Sequence, residues 1–377
     1  MPPSDILVIG GGVTGTVAAI RLAEQGARVT VLDAATNAGS DANAGSLHVQ
    51  MQSRFMRLYP DQVPNVEAAL PFYKQAADTW VEMDGELGGV ELVRKGGLML
   101  AESEEQLAFL QKKAERETAQ GLSVDILQRT ELERFAPWLG PQIVGAEICH
   151  DEGKLNPLIA NQRLRQLAEA SGVARRKVFV DALDEGSNGV TAHTSDGSFH
   201  ADQVLLAAAW GSADLTAPFG ITVPSAAEPL HMNITEPSTI AISHLVQHAE
   251  RSITLKQFGT GQIVIGGGWA ASDQGRGVPP KVRAESMLGN VALAAKLAPA
   301  IGGLRVIRTW AGMNTTTDGA SIIGRLPKTD RVVMALPGDA GYTLGPLVGR
   351  LAADIALGRV PNIDIERFSP SRFADLV

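Results

Sequence analysis

The sequence predicts an α/β protein organised on a parallel sheet with helices against it. Three observations predict this class. Ile6-Leu7-Val8-Ile9 is a continuous apolar run of strand length, as expected of a parallel strand buried on both faces. Gly10, Gly12 and Gly15 follow at G-x-G-x-x-G spacing and lead into a helical stretch. A second apolar run, residues 29–32, then ends in Asp33.

Each element has a physical role. The glycines permit a tight turn, close approach of backbone to a pyrophosphate, and close packing of helix on strand. Val17, Ile20 and the small Ala18 and Ala19 suit a helix lying on a sheet, and Gly26 ends it. The helix N-terminus directs unpaired N–H groups and a positive dipole end at the phosphates. Asp33 is placed for the ribose hydroxyls of an adenosine. Strand, triplet, helix, strand and acid together read as a dinucleotide-binding unit.

Composition narrows the rest. At 377 residues the chain predicts two domains. A net charge of −8 with no basic cluster argues against a nucleic-acid partner. Cys149 is the only cysteine, so the chain has no disulfide framework, no cysteine metal site and no iron–sulfur cluster of its own. No run reaches the roughly 18 apolar residues that span a bilayer. Because the sequence opens directly on its first strand, no signal peptide is expected. The expected location is cytoplasmic, with membrane association only through partner subunits.

Further along, residues 38–48 are small and polar, suited to wrapping closely around a ligand. Residues 66–84 predict an amphipathic helix with Ala68, Phe72, Ala76 and Trp80 on one face. Residues 98–100 read as a strand. Residues 103–120 read as a solvated helix whose charges face water. A helix follows over 157–170, with Pro157 in its first turn. Strands are expected over 178–183, 190–194 and 204–208, and then over 231–234, 253–257 and 263–265. Gly266-Gly267-Gly268 repeats the first motif superficially, but Trp269 and Asp273-Gln274-Gly275 follow, so a strand entering a turn is expected instead. A closing helix is expected from near Pro346, carrying Leu347, Leu351, Ile355 and Leu357.

The N-terminal unit, Asn-Ala-Gly-Ser-Leu-His over 43–48, the segment 204–215, the segment 309–324 and the C-terminal 336–355 resemble, in order, the D-amino-acid oxidase superfamily of flavoproteins, which includes glycine and sarcosine oxidases. Residues 40–50 look most like the flavin subunits of opine oxidase, D-hydroxyproline dehydrogenase and hydrogen cyanide synthase. The resemblance implies a GR2-type, Rossmann-like FAD domain interleaved with an α+β, mixed-sheet substrate domain. The expected FAD domain is 1–80, 145–222 and 306–377, and the expected substrate domain is 81–144 and 223–305. The flavin ring would lie where the two domains meet.

Carried over residue by residue, Gly10, Gly12, Val13, Thr14 and Gly15 would hold the pyrophosphate, and Asp33 with Ala34 the ribose. Ser40, Asn43, Ala44, Gly45 and Ser46 would line the flavin. Val180 would bond adenine through its backbone, with Val178 as an alternative. Ala208, Ala209 and Trp210 match a segment usually ending Ala-Gly. Gly312, Gly338, Asp339, Gly341, Tyr342 and Thr343 would approach the flavin ring and ribityl chain. Residues 311–318 lack the cysteine that tethers FAD in monomeric sarcosine oxidases, so non-covalent FAD is expected. Met313 and Asn314 stand where many relatives carry a carboxylate-binding arginine.

The implied chemistry is hydride transfer from the Cα–H of a neutral amine to flavin N5, giving an imine that hydrolyses; it needs no catalytic triad. Candidate catalytic residues are His48, Tyr342 and Lys256, each of which also has a purely structural reading. His231 is expected to be structural, and Arg54 and Arg57 are weaker candidates for an acidic substrate. Expected partners are an amine or amino-acid substrate and companion subunits, including an iron–sulfur electron-transfer subunit. Alternatives are a stand-alone oxygen-using oxidase, an assembly subunit inactive alone, and a nicotinamide-dependent dehydrogenase, the last fitting residues 6–33 only.

Overall fold

In the computed structural model, residues 5–36 and 38–376 are described. The chain forms two compact units: Met1–Asp41, Leu158–Glu228 and Asn314–Val377 make one, and Ala42–Pro157 with Pro229–Met313 the other. The expected α/β class holds.

The first unit is built on a six-stranded sheet in the order Ile322–Arg325, Val332–Leu336, Gln203–Leu206, Asp5–Ile9, Arg28–Asp33, Ala174–Lys177. All neighbours are parallel except the first pair. The apolar runs fill its centre: Ile6 faces Val29 and Gln203 in register, and residues 6–9 are buried. The edge strand Ala174–Lys177 escapes prediction because its Ala-Arg-Arg-Lys sequence is largely exposed and carries no apolar signal. A separate antiparallel sheet joins Val180–Gly186, Gly189–Thr194 and Gly197–Ala201.

Helix Val13–Glu24 packs against helix Gly341–Ala356. A Cβ on Gly345 would lie 2.6 Å from Val13 Cγ1, and one on Gly349 2.5 Å from the Thr14 carbonyl oxygen. The closing helix therefore starts at Gly341, five residues before the predicted Pro346, which lies inside it. The cost of an interior proline, about 3 kcal/mol, is outweighed by burial of nearly the whole helix.

The second unit is built on an eight-stranded mixed sheet in the order Val306–Thr316, Ala226–Pro237, Gln262–Gly266, Thr254–Gln257, Leu245–His248, Gly97–Ala101, Gly145–Cys149, Val124–Gln128. A two-strand ribbon pairs Ser46–Leu47 with Gly153–Lys154. The second glycine run is indeed a strand leading into a turn, with Gly267 and Gly268 at positive φ.

Two expectations for this unit are corrected. The helix predicted over 66–84 is two, Val63–Ala68 and Leu70–Glu86, because Pro71 lacks the N–H that would continue the first helix. The charges of helix Glu104–Ala119 do not all face water: the side chains of Lys113 and Glu117 are completely buried. Lys113 Nζ lies 2.8 Å from Glu117 Oε1 and 2.8 Å from Glu147 Oε1. The Met51 N–H donates to Glu117 Oε1 at 2.6 Å. Partners arriving from a strand and a loop compensate charges that would otherwise be too costly to bury. Burial opposes the Lys113 charge, but the carboxylates of Glu147 and Glu117 outweigh it and raise its pKa. Burial pushes the Glu147 carboxyl well up, with the Lys113 charge opposing.

Candidate active site

In the first unit the glycine loop forms a cradle without side chains. Gly10 adopts φ +102°, and a Cβ there would strike the Ala207 carbonyl oxygen. One on Gly12 would lie 2.9 Å from Ser40 Oγ. The N-terminus of Val13–Glu24 opens onto this loop, and an α-helix leaves its first-turn N–H groups without intrahelical partners. The Val13 N–H is met by Ser40 Oγ at 2.9 Å. Gly15, Thr14 and Val13 thus share one helix end with Ser40, while Gly10 adjoins Ala207 and Ala208.

Asp33 ends its strand beside the cradle. Its Oδ1 accepts the Ala35 N–H at 2.8 Å, one residue past Ala34, and its Oδ2 pairs with Arg175. The Val178 N–H is committed to the Asp33 carbonyl at 2.9 Å, whereas Val180 begins the next strand. Ala209 sits at φ +52°, the left-handed conformation that favours glycine, which is the residue usual there in the family it resembles. The Trp210 ring packs near Gly39.

Tyr342 and Thr343 are buried in the first turn of the Gly341–Ala356 helix. The Tyr342 hydroxyl donates to Asn161 Oδ1 at 2.9 Å, and Asn161 Nδ2 donates to the Ser40 carbonyl at 2.8 Å. Asp41 receives Arg165 at 2.8 Å in the same cluster. Burial and the Asp41 charge push the Tyr342 hydroxyl pKa up, so it remains a donor. Gly338 and Asp339 lie just ahead of this helix, and Asp339 Oδ1 receives Asn314 Nδ2 at 3.4 Å. Asn314 also donates to Glu228 at 3.1 Å, so its surroundings are acidic.

The second unit holds the other candidates. Asn43 Oδ1 accepts the Gly45 N–H at 2.8 Å, closing a small turn around Ala44. Gly312 lies on strand Val306–Thr316, whose Trp310 Nε1 donates to the Ala42 carbonyl at 2.8 Å. Lys256 Nζ donates to Ser46 Oγ at 2.7 Å and is 3.4 Å from Thr254 Oγ1. Burial, with the Lys154 charge, lowers the Lys256 pKa to about 7. Lys154 pairs with Ser46 across the ribbon, and burial lowers its pKa to about 8. His48 Nδ1 lies 3.7 Å from Glu152 Oε1. Arg57 is committed to the carbonyls of Ala249 and Glu250. His231 is fully buried, and burial lowers its pKa.

A model of the family described as FAD dependent oxidoreductase (DAO) matches residues 5–355. The chain belongs to the DAO family of FAD-dependent oxidoreductases. It is 25% identical over 391 aligned residues to glycine oxidase of Bacillus licheniformis, covering 98% of this chain and 97% of that protein. It is 26% identical over 388 residues to an opine oxidase subunit of Rhizobium meliloti, with 98% and 97% covered. The crystal structure of glycine oxidase from Geobacillus kaustophilus shares the fold at a TM-score of 0.86, with 23% identity and 99% of both chains covered. FAD is therefore the cofactor of this DAO-family chain. The side-chain-free glycine cradle at an open helix N-terminus fits its pyrophosphate.

Several polar residues of these clusters lie outside the sequence-derived candidates: Asn161, Gln50, Glu152, Lys113, Glu117 and Glu147. Gln50 had a readable signal, since Ser46-Leu47-His48-Val49-Gln50-Met51 alternates polar and apolar. The acids and Lys113 had none, because a Glu and a Lys one helical turn apart read equally well as a solvated pair. Among the described residues, no helix is long and apolar enough to cross a membrane.

Proposed function

We propose that this chain oxidises the C–N bond of a secondary amine or amino acid: an opine, a D-amino acid or a cyclic imino acid. Full-length kinship to proteins named for glycine and for an opine carries the reading, since both are amine-bearing small acids. Bound FAD supplies the hydride acceptor, and the resulting imine hydrolyses in water. We assign the pyrophosphate to Gly10, Gly12, Val13, Thr14 and Gly15, and the ribose to Asp33 and Ala34, with Arg175 yielding part of the carboxylate. Val180 takes adenine, because the Val178 N–H is already used by Asp33. Ser40, Asn43, Ala44, Gly45, Ser46, Ala208, Ala209, Trp210, Gly312, Gly338, Asp339, Gly341 and Thr343 serve the rest of a non-covalently held cofactor. Tyr342 acts through Asn161 as a fastening of its helix, and His48 and Lys256 serve the substrate.

The kinship to the opine oxidase subunit favours a flavin subunit working with companion subunits, and we propose that one of these carries iron–sulfur. A stand-alone oxidase passing electrons to oxygen is the second reading, favoured by the kinship to glycine oxidase. The test is anaerobic mixing of the purified yellow protein with opines, D-proline analogues, sarcosine and glycine. The expected outcome is bleaching of the flavin by one of them, with slow reoxidation by air if a partner subunit is the natural acceptor. Failure of every amine to bleach it sinks the reading for the isolated chain.

A further inference from the structure

Residues 46–51 form a row in which alternate side chains meet different surroundings. Leu47, Val49 and Met51 are buried, the last two in an apolar cluster with Val63, Val66 and Leu70. Ser46, His48 and Gln50 each meet a buried charged group from a different part of the second unit. Ser46 receives Lys256 at 2.7 Å, and Gln50 Oε1 receives Lys113 at 3.1 Å. His48, between them, faces Glu152.

Glu152 has no exposed side-chain surface, yet its carboxylate is richly bonded. Oε1 accepts the N–H of Val49 at 2.8 Å and of Gln50 at 3.2 Å. Oε2 accepts the side-chain amides of Gln50 at 2.8 Å and Gln247 at 2.7 Å. Two of these donors are the residues immediately following His48, so the carboxylate fixes the backbone that carries the imidazole. His48 Nδ1 lies 3.7 Å from Oε1, within ion-pair range and beyond hydrogen-bond range, while 23% of the side chain stays exposed. The carboxylate acts on the imidazole through the backbone it fixes and through its charge, which favours a proton on the nitrogen nearer to it, so that proton transfer falls to the opposite nitrogen.

We propose that Glu152 is the positioning residue of His48, and that His48 so held accepts the proton of the substrate ammonium. The proposal rests on the amine-oxidising reading above. An ammonium has no lone pair to assist loss of hydride from the adjacent carbon, so it must first be deprotonated. In that step one substrate N–H bond breaks, its electron pair stays on the substrate nitrogen, and an N–H bond forms at His48 Nε2. The imidazolium formed is stabilised by the Glu152 carboxylate. The other charged groups of the row, Lys256 and Lys113, are engaged by Ser46 and Gln50.

The test uses holoprotein and its variants His48→Ala, Glu152→Gln, Glu152→Asp and the double variant His48→Ala/Glu152→Gln. First, 15N–1H correlation spectra of the histidine rings, with His48 assigned by difference from His48→Ala, report its tautomer without any turnover. The expected result is Nδ1–H in the wild type and a mixture in Glu152→Gln. A His48 protonated at Nε2 alone in the neutral wild type overturns the pair even if no substrate is known. Second, with an amine that bleaches the flavin, His48→Ala should slow reduction about 100-fold and Glu152→Gln about 10-fold. The double variant should be no slower than His48→Ala, and added imidazole should rescue His48→Ala but not the double variant. Multiplicative losses, or equal rescue, would assign Glu152 a merely structural role. If Glu152→Gln loses its flavin or melts early, Glu152→Asp keeps the charge but draws it back by one methylene. It should lie between wild type and His48→Ala in reduction rate and shift the tautomer towards a mixture, and a Glu152→Asp identical to wild type in both overturns the pair. If no amine bleaches the wild type, the amine reading fails while the tautomer still decides the pair.

Discussion

Lys256 is 1% exposed, and among the described residues its ammonium donates to the hydroxyls of Ser46 and Thr254, with no carboxylate partner. Burial therefore favours the neutral amine and brings its pKa to about 7, with the Lys154 charge adding to the effect. The folded pKa lies below the ordinary lysine value of 10.5. Between those two values the unfolded chain holds a proton that the folded chain has shed, so stability rises with pH across that window. Below about pH 7 both states are protonated and the full penalty applies. Lys256→Met should stabilise the protein at pH 6.5 by on the order of 2–4 kcal/mol and flatten the rise towards pH 9.5. Urea unfolding at the two pH values checks this. A smaller slope due to Lys154, with its pKa near 8, should remain, and an unchanged slope in the variant would refute the assignment. Lys256 was visible in the sequence as a polar residue on a predicted strand. Its burial was not, because Ser46 is 210 positions away.

At the scale of elements, the contact of helices Val13–Glu24 and Gly341–Ala356 depends on the missing side chains of Gly345 and Gly349. With a Cβ 2.5 Å from the Thr14 backbone oxygen, Gly349→Ala must push one helix off the other. The expected loss is about 1–3 kcal/mol, seen as a lower unfolding midpoint, together with weaker FAD retention on our assignment of Thr14 to the pyrophosphate. A melting point and a flavin-to-protein ratio equal to wild type would contradict it. The first helix and its cradle were legible because the spacing of Gly10, Gly12 and Gly15 is a local pattern. The start of the last helix was misplaced because Pro346 is a strong local signal, and the packing that overrides it comes from a helix more than 300 positions earlier.

At the scale of the whole molecule, each unit is assembled from segments far apart in the chain. Segments gathered in this way gain stability from a ligand that binds only the folded state. Removing FAD with chaotropic salt should therefore lower the unfolding midpoint, and restoring it at a hundredfold excess over its dissociation constant should return about 2.7 kcal/mol. A calorimetric scan of apo and reconstituted protein checks this, and coincident scans would mean that the flavin does not bind the folded chain tightly.

The sequence by itself determined the α/β class, the strand, glycine-loop and helix unit that leads to Asp33, the strand-to-turn character of the second glycine run, and the family with its FAD. Each of these is written in short-range spacing or in a run of residues that one strand and one turn require. Only the tertiary structure decided which charges are buried and what they touch. Glu152 meets Val49 across 103 positions, Lys113 meets Glu147 across 34, and Tyr342 meets Asn161 across 181. A buried charge is tolerated only beside its partner, and the partner is chosen by the fold rather than by its neighbours in the chain.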